Sequence, residues 1–188
     1  MRVWTLQPIS FYQALLSEKI VYCKPELSYY LQNDEWDLRE SYDWMALQMQ
    51  KRIGPAPPGI KYPLWGWHTT YGKHQKPDLR RKEFREHVCQ GQLLCLECSV
   101  PDSQILLSDE LAWYAVINHT LYLPENEYSC SAYFNWMALP NKEKDRVMRE
   151  SWEKIFQINK PCEFIQATFW CLSPENIQAV WPIKRRSQ

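Results

Sequence analysis

"YPLWGWH", residues 62–68, decides how the chain is read. Leu64, Gly66 and His68 alternate with Trp65 and Trp67, a period of two that puts both indoles on one side of a β-strand. Helical periodicity flanks this strand. On one side, "NDEWDLRESYDWMALQMQKRI", residues 33–53, sets Trp36, Tyr42 or Asp43, Met45 or Ala46, Met49 and Ile53 near helical spacing, opening on acids and closing on Lys51 and Arg52. On the other, "NKEKDRVMRESWEKIF", residues 141–156, carries a stripe of Val147, Met148, Trp152, Ile155 and Phe156.

Further strands are expected at both ends of the chain. "RVWTLQ" at 2–7 opens it and stops at Pro8, and "SFYQALLSEKI" follows as a short helix with Ser10 as its cap and Phe11, Ala14, Leu15 and Ile20 inward. "EFIQATFWCL" and "NIQAVWPIK" end it as a strand and a second short element. Between them, "QLLCLECSV" at 92–100 reads as a strand, and "QILLSDELAWYAVIN" at 104–118 as a short strand entering a helix capped by Ser108 or Asp109. "GPAPPG" at 54–59 and "GKHQKPD" at 72–78 are loops, "LRRKEFREHV" at 79–88 a short helix, and residues 118–140 have no decisive pattern. No regular strand–helix–strand alternation is visible, so the expected class is α+β: one domain over residues 1–188, with a bent or split mixed sheet and helices packed on it.

Composition excludes several functions. Twenty-two Lys and Arg balance 22 Asp and Glu, so no global field draws the chain to nucleic acid or to an anionic membrane. No apolar run approaches the roughly 18–20 residues that span a bilayer, and "MRVWTLQPIS" lacks a signal-peptide core, which points to the cytoplasm. Seven scattered cysteines fit reduced thiols better than a disulfide framework. The motifs of phosphate-cradling loops and common hydrolases are missing. Cys95 and Cys98, with His87 and Cys89 upstream, have zinc-like spacing, but on a strand two thiols three residues apart point to opposite faces, so no metal is expected.

Ten tryptophans and eleven tyrosines are the unusual feature. Aromatic rings either fill a core or stack on flat ligands. Tyr62, Trp65, Trp67, His68 and Tyr71 stand just before the basic stretch that holds Lys76, Arg80 and Arg81, broken by Asp78. Stacking beside phosphate contacts is how nucleotides and single-stranded nucleic acid are held. The competing assignment for the same residues is a solvated loop beside a core strand, or an aromatic surface that meets another protein.

The ordered series "VWTLQ", "YDWM", "PLWGWH", "KPDLRR", "LLSD" with Trp113 after it, and "IQATFW" resembles a bacterial family, domain of unknown function 3841. More loosely, "VWTLQP" leading into a helix and "EKIVYCKPEL", together with the close "CEFIQATFWCLSPENIQAVWPI", is similar to small ADP-ribosyltransferase-like proteins. That second resemblance implies an ADP-ribosyltransferase-like architecture, NAD as substrate and transfer of ADP-ribose to a macromolecular target. It implies a catalytic acid on the last core strand, for which Glu163 and Gln166 compete. Thr5 stands on the first strand where the family carries histidine or arginine. The candidate substrate-binding residues are Thr5, Gln7, Tyr62, Trp65, Trp67, His68, Tyr71, Lys76, Asp78, Arg80, Asp109 and Trp113, with Lys76 and Arg80 as phosphate contacts if the chain is a non-catalytic binding module. The chemistry requires a carboxylate beneath the ribose as positive charge develops there. It also requires the first and last core strands to lie side by side, sharing one concave wall with the indoles.

Overall fold

The computed structural model describes residues 1–32, 37–84, 93–158 and 161–183. In chain order the strands are β1 (Arg2–Pro8), β2 (Val21–Tyr22), β3 (Leu64–Thr69), β4 (Leu93–Ser99), β5 (Leu106–Asp109), β6 (Ile165–Phe169), β7 (Cys171–Leu172) and β8 (Ile177–Pro182). The α-helices are α1 (Ile9–Glu18), α2 (Tyr29–Gln32), α3 (Arg39–Arg52), α4 (Glu110–Ile117), α5 (Cys130–Met137) and α6 (Asn141–Trp152). Six strands form one sheet in the order β5-β6-β3-β1-β4-β8, and β2 pairs with β7 in a separate ribbon. The architecture is α+β, but the expected mixed sheet is antiparallel at every pairing. The split is real: the chain leaves the large sheet after Phe169, and two residues later β7 continues in the ribbon with β2.

Strand alternation divides the core in two. Val3, Leu64, Leu96, Cys98, Ala167 and Phe169 form a core with Leu15 of α1 and with Val21 and Leu172 of the ribbon. The opposite face packs on helices: Tyr42, Met45 and Met49 of α3, Trp113 of α4 and Trp152 of α6 share a core with Leu106 of β5. The Thr168 hydroxyl donates to Met49 Sδ at 3.2 Å and so ties β6 to α3.

Local chemistry explains most boundaries. Gly66 is required in β3, because a Cβ there would stand 2.9 Å from the carbonyl oxygen of Trp4. Asp109 caps α4, its carboxylate accepting from the amides of Leu111 and Ala112. The first helix begins earlier than its sequence indicates: Pro8 occupies the cap, Ser10 lies inside the helix, and Lys19 in the left-handed conformation stops it before Ile20. Helix α3 starts at Arg39; the expected first turn at 33–36 lies outside the described residues, as do 85–88 of the helix expected over 79–88, and within its described part Lys82–Phe84 forms a 3-10 turn. Residues 118–140, undecided by sequence, contain α5, capped by the Ser129 hydroxyl.

One topological expectation is corrected. Strand β1 does not lie beside β6, because β3 hydrogen-bonds to both. Two strand spacings, about 10 Å, separate them. The indole-bearing strand is itself the middle of the wall.

Candidate functional site

Register brings together residues that are far apart in sequence. Trp67 faces Trp4 on one side and Gln166 on the other, Gln166 faces Ser108, and Trp4 faces Glu97. Cross-strand partners share a face. One row of the sheet therefore reads Glu97, Trp4, Trp67, Gln166, Ser108. Trp65, two residues from Trp67, lies on the same face opposite Thr168. Its ring meets Trp113 at 5.0 Å and Tyr42 at 5.5 Å between centroids.

Three buried polar side-chain atoms have no hydrogen-bond partner among the described residues: Trp65 Nε1, Ser108 Oγ and Gln166 Oε1. All three belong to neighbouring positions on this one face. An unpaired buried polar group costs about 1–3 kcal/mol, so three together form a set that a ligand or water completes. The set is specific: an acceptor at Gln166, a donor at Trp65, and a hydroxyl at Ser108 that can be either. Such a set fits the donor and acceptor edge of a nucleobase or carboxamide, with indole faces beside it. Ser108 is fully buried, while Trp65, Trp67 and Gln166 are half-buried.

The surroundings are aromatic on one side and acidic on the other. Trp67 meets Phe84 at 5.6 Å and Phe164 at 5.9 Å. Phe164 meets Tyr71 at 4.8 Å, and the Arg81 guanidinium lies over the Tyr71 ring at 4.6 Å, so a file of rings leads from Trp67 to one cation. Tyr71 and Gly72 both have positive φ, and the Gly72 amide donates to the Glu163 carbonyl at 2.8 Å, which pins this turn to the segment entering β6. At the ends of β5 and β6 stand Asp109, Glu110 and Glu163. Burial, followed by the charges of Asp109 and Glu163, pushes the Glu110 carboxyl above its usual range, against a hydrogen bond with Tyr114. The Cys162 thiol donates to Asp109 Oδ2 at 3.5 Å.

The sequence-derived candidates divide sharply. Trp65, Trp67, Trp113 and Gln166 converge, with Tyr71, Asp109 and Glu163 around them. Gln166 holds the strand position for which the two candidates compete; Glu163 is exposed, two residues before β6 begins. Thr5 does not belong to the site. It is fully buried on the opposite face, where its hydroxyl donates to the Trp65 carbonyl at 2.7 Å and accepts from Gln7 Nε2 at 2.8 Å, which also occupies Gln7. Tyr62 is buried beside Tyr42, at 6.0 Å between rings. His68 lies where the β3–β6 register shifts, stacked on His74 at 4.1 Å, away from the unpaired trio. Lys76 sits over Trp181 at the far edge of the sheet, 4.2 Å from the ring centroid, and Arg80 is held by Asp78 in an exposed pair.

Cys95 faces Trp181 and Cys98 faces Ile177, an odd spacing along β4 that turns the thiols to opposite faces, and burial pushes each up to about 12. His87 and Cys89 lie outside the described residues. Among the described residues no group of three or more His, Cys, Asp or Glu could hold a metal ion, and no helix is long and apolar enough to cross a membrane. Two surface grooves lie elsewhere. One of about 460 Å³ is lined by Asp43, Leu47 and Lys61, and one of about 440 Å³ by Tyr122, Trp136 and Val147. Sequence reading missed Ser108 and Glu110 as site residues: Ser108 has the character of a helix cap, and only the β5–β6 register reveals its partner.

The family comparison agrees with the ordered words of the sequence. Residues 2–178 match the family model described as Domain of unknown function (DUF3841), and the chain belongs to that family. No curated protein and no solved structure matches the chain.

Proposed function

We propose that this member of the Domain of unknown function (DUF3841) family is a nucleotide-binding module. The flat ring of the ligand stacks against Trp67 and Trp65, its edge meets Gln166, Ser108 and Trp65 Nε1, and its phosphate lies toward Arg81. The observation that carries this reading is the unpaired buried trio on one sheet face. NAD, the dinucleotide to which the weaker resemblance points, is the first ligand to test. Titration of AMP, nicotinamide mononucleotide and NAD, followed by tryptophan fluorescence and thermal shift, is expected to show saturable quenching and stabilisation by mass action. Gln166→Leu is expected to abolish both. If no nucleotide binds, or if binding is indifferent to Gln166→Leu, the reading is wrong.

Transfer of ADP-ribose to a macromolecular target is the second reading. It is favoured by Glu163 standing beside Glu110 at the rim, where their charges interact. In this reaction the ribose C1′–N bond breaks and neutral nicotinamide leaves with the electron pair. A nucleophile of the target bonds to C1′ and loses its proton, while Glu163 stabilises the cationic sugar. Nicotinamide release that Glu163→Gln eliminates supports transfer; binding without release leaves the binding module. The position of β3 between β1 and β6 and the burial of Thr5 weigh toward binding alone.

A further inference from the structure

We infer that the ligand of this site is the end of a single-stranded nucleic acid rather than a free mononucleotide, an inference that rests on the nucleotide-binding reading. Residues 70–84 hold five Lys and Arg against two Asp and Glu, in a chain whose totals balance at 22 each. The fold lays this basic segment across the sheet face that carries Trp67 and Gln166. Phe84 packs on Trp67 at 5.6 Å, the His74 ring stands edge-on to Trp4 at 5.4 Å, and the Lys76 ammonium lies 4.2 Å from the centre of the Trp181 ring. Those three tryptophans share one face: Trp67 pairs with Trp4 across β3 and β1, Trp4 with Glu97 across β1 and β4, and Trp181 with Cys95, two positions from Glu97 along β4.

From Trp67 on β3 to Trp181 on β8 is three strand spacings, roughly 14 Å. The phosphate of one nucleotide stacked on Trp67 lies at the Arg81 end of this span; a chain that continues across the face meets Lys73 and Lys76 as well. Lys73 is placed by a tight turn, in which the Thr70 amide donates to the Lys73 carbonyl at 2.9 Å and the Lys73 amide returns to Thr70 at 3.2 Å. Both lysines are exposed, and among the described residues neither pairs with a carboxylate. Asp78 is occupied by Arg80, at 2.8 and 2.9 Å, and holds Arg81 only at 4.0 Å. Arg2 and Glu97, on the same face, balance each other at 3.7 Å. Stacking tolerates any base, while contacts to successive phosphates supply affinity that a single nucleotide cannot reach. An acidic peptide would meet the same lysines but brings no flat ring whose edge completes the buried trio of Trp65, Ser108 and Gln166, so the trio favours nucleic acid.

The test varies ligand length at two salt concentrations. AMP and 5′-phosphorylated single-stranded oligoadenylates of three and six nucleotides are titrated against the full chain, with tryptophan quenching as the signal. The trimer is expected to bind about tenfold more tightly than AMP, and the logarithm of its affinity to fall with that of salt at a slope of about −2 for three contacted phosphates, against about −0.7 for one. Ribose and deoxyribose series run in parallel, and the tighter one identifies RNA or DNA as the source. The Lys73→Ala, Lys76→Ala double variant, checked for folding by circular dichroism, is expected to bring the ratio of trimer to AMP affinity near one. A trimer that binds no more tightly than AMP overturns the inference and leaves mononucleotide binding standing. It is overturned too if the length preference survives the double variant, or if an abasic trimer or a hexaglutamate peptide binds as tightly as the oligoadenylate. Failure of AMP, NAD and every oligomer to bind overturns both readings.

Discussion

Ser108 and Gln166 face each other across the β5–β6 pair, and among the described residues neither the hydroxyl of the first nor the amide oxygen of the second has a hydrogen-bond partner. A fold that can hide Thr5 behind two hydrogen bonds leaves these two groups uncompensated on the opposite face. Stability and recognition are therefore opposed at this point of the sheet.

Replacing Gln166 by leucine removes a buried orphan acceptor while keeping similar volume. The variant is expected to be as stable as the parent, or more stable by about 1 kcal/mol, and to lose ligand quenching. Urea denaturation and fluorescence titration of the same sample check both halves. A variant destabilised by several kcal/mol contradicts the assignment of the amide as unpaired.

Thr5→Val has the opposite signature. Removing the hydroxyl strips Gln7 of its acceptor and the Trp65 carbonyl of a donor in a fully buried setting, at a cost of about 1–3 kcal/mol. Ligand affinity, measured below the new melting temperature, is expected to stay within about twofold, since Thr5 is turned away from the site. A selective loss of affinity without loss of stability puts Thr5 back among the binding residues.

Gly66→Ala places a methyl 2.9 Å from the Trp4 carbonyl oxygen, a backbone atom that cannot swing away. Strand β3 must move off β1, and destabilisation of about 1–3 kcal/mol is expected from the overpacking. The urea midpoint reports it; a neutral substitution shows that β1 and β3 are less closely apposed.

Acid lowers stability through His68. Burial first, then the charges on His74 and on the amino terminus of Met1, hold the imidazole below its usual range, with Asp102 opposing. Such a group binds its proton more readily in the unfolded chain, so folding free energy declines as pH falls below about 6.5 and levels off once the folded-state imidazole is itself protonated. His68→Asn is expected to flatten the dependence of the urea midpoint on pH between about 5 and 7. An unchanged slope assigns the titration to other groups.

The sequence carries the local half of this structure well. The alternation of Trp65 and Trp67 against Leu64 and Gly66, the divergence of Cys95 from Cys98 and the Asp109 cap all follow from short-range geometry, which a strand or a helix start imposes on adjacent residues. The site is only partly legible. Trp65, Trp67, Trp113 and Gln166 stand out by residue type, but Thr5 and Ser108 are assigned to opposite faces only when strand order and register are fixed. That order depends on pairings between residues some 60 to 100 positions apart, and period-two patterns do not encode which strands are neighbours. At His68 a shift in register interrupts the alternation, which a period-two pattern does not anticipate.

Strand β8 ends the sheet, and its composition has a consequence for life at high concentration. Pro182 brings no amide hydrogen to this border, so a second copy that docked there to extend the hydrogen-bonded ladder would lack one of its donors, while the Lys76 ammonium lies 4.2 Å from the Trp181 ring centroid.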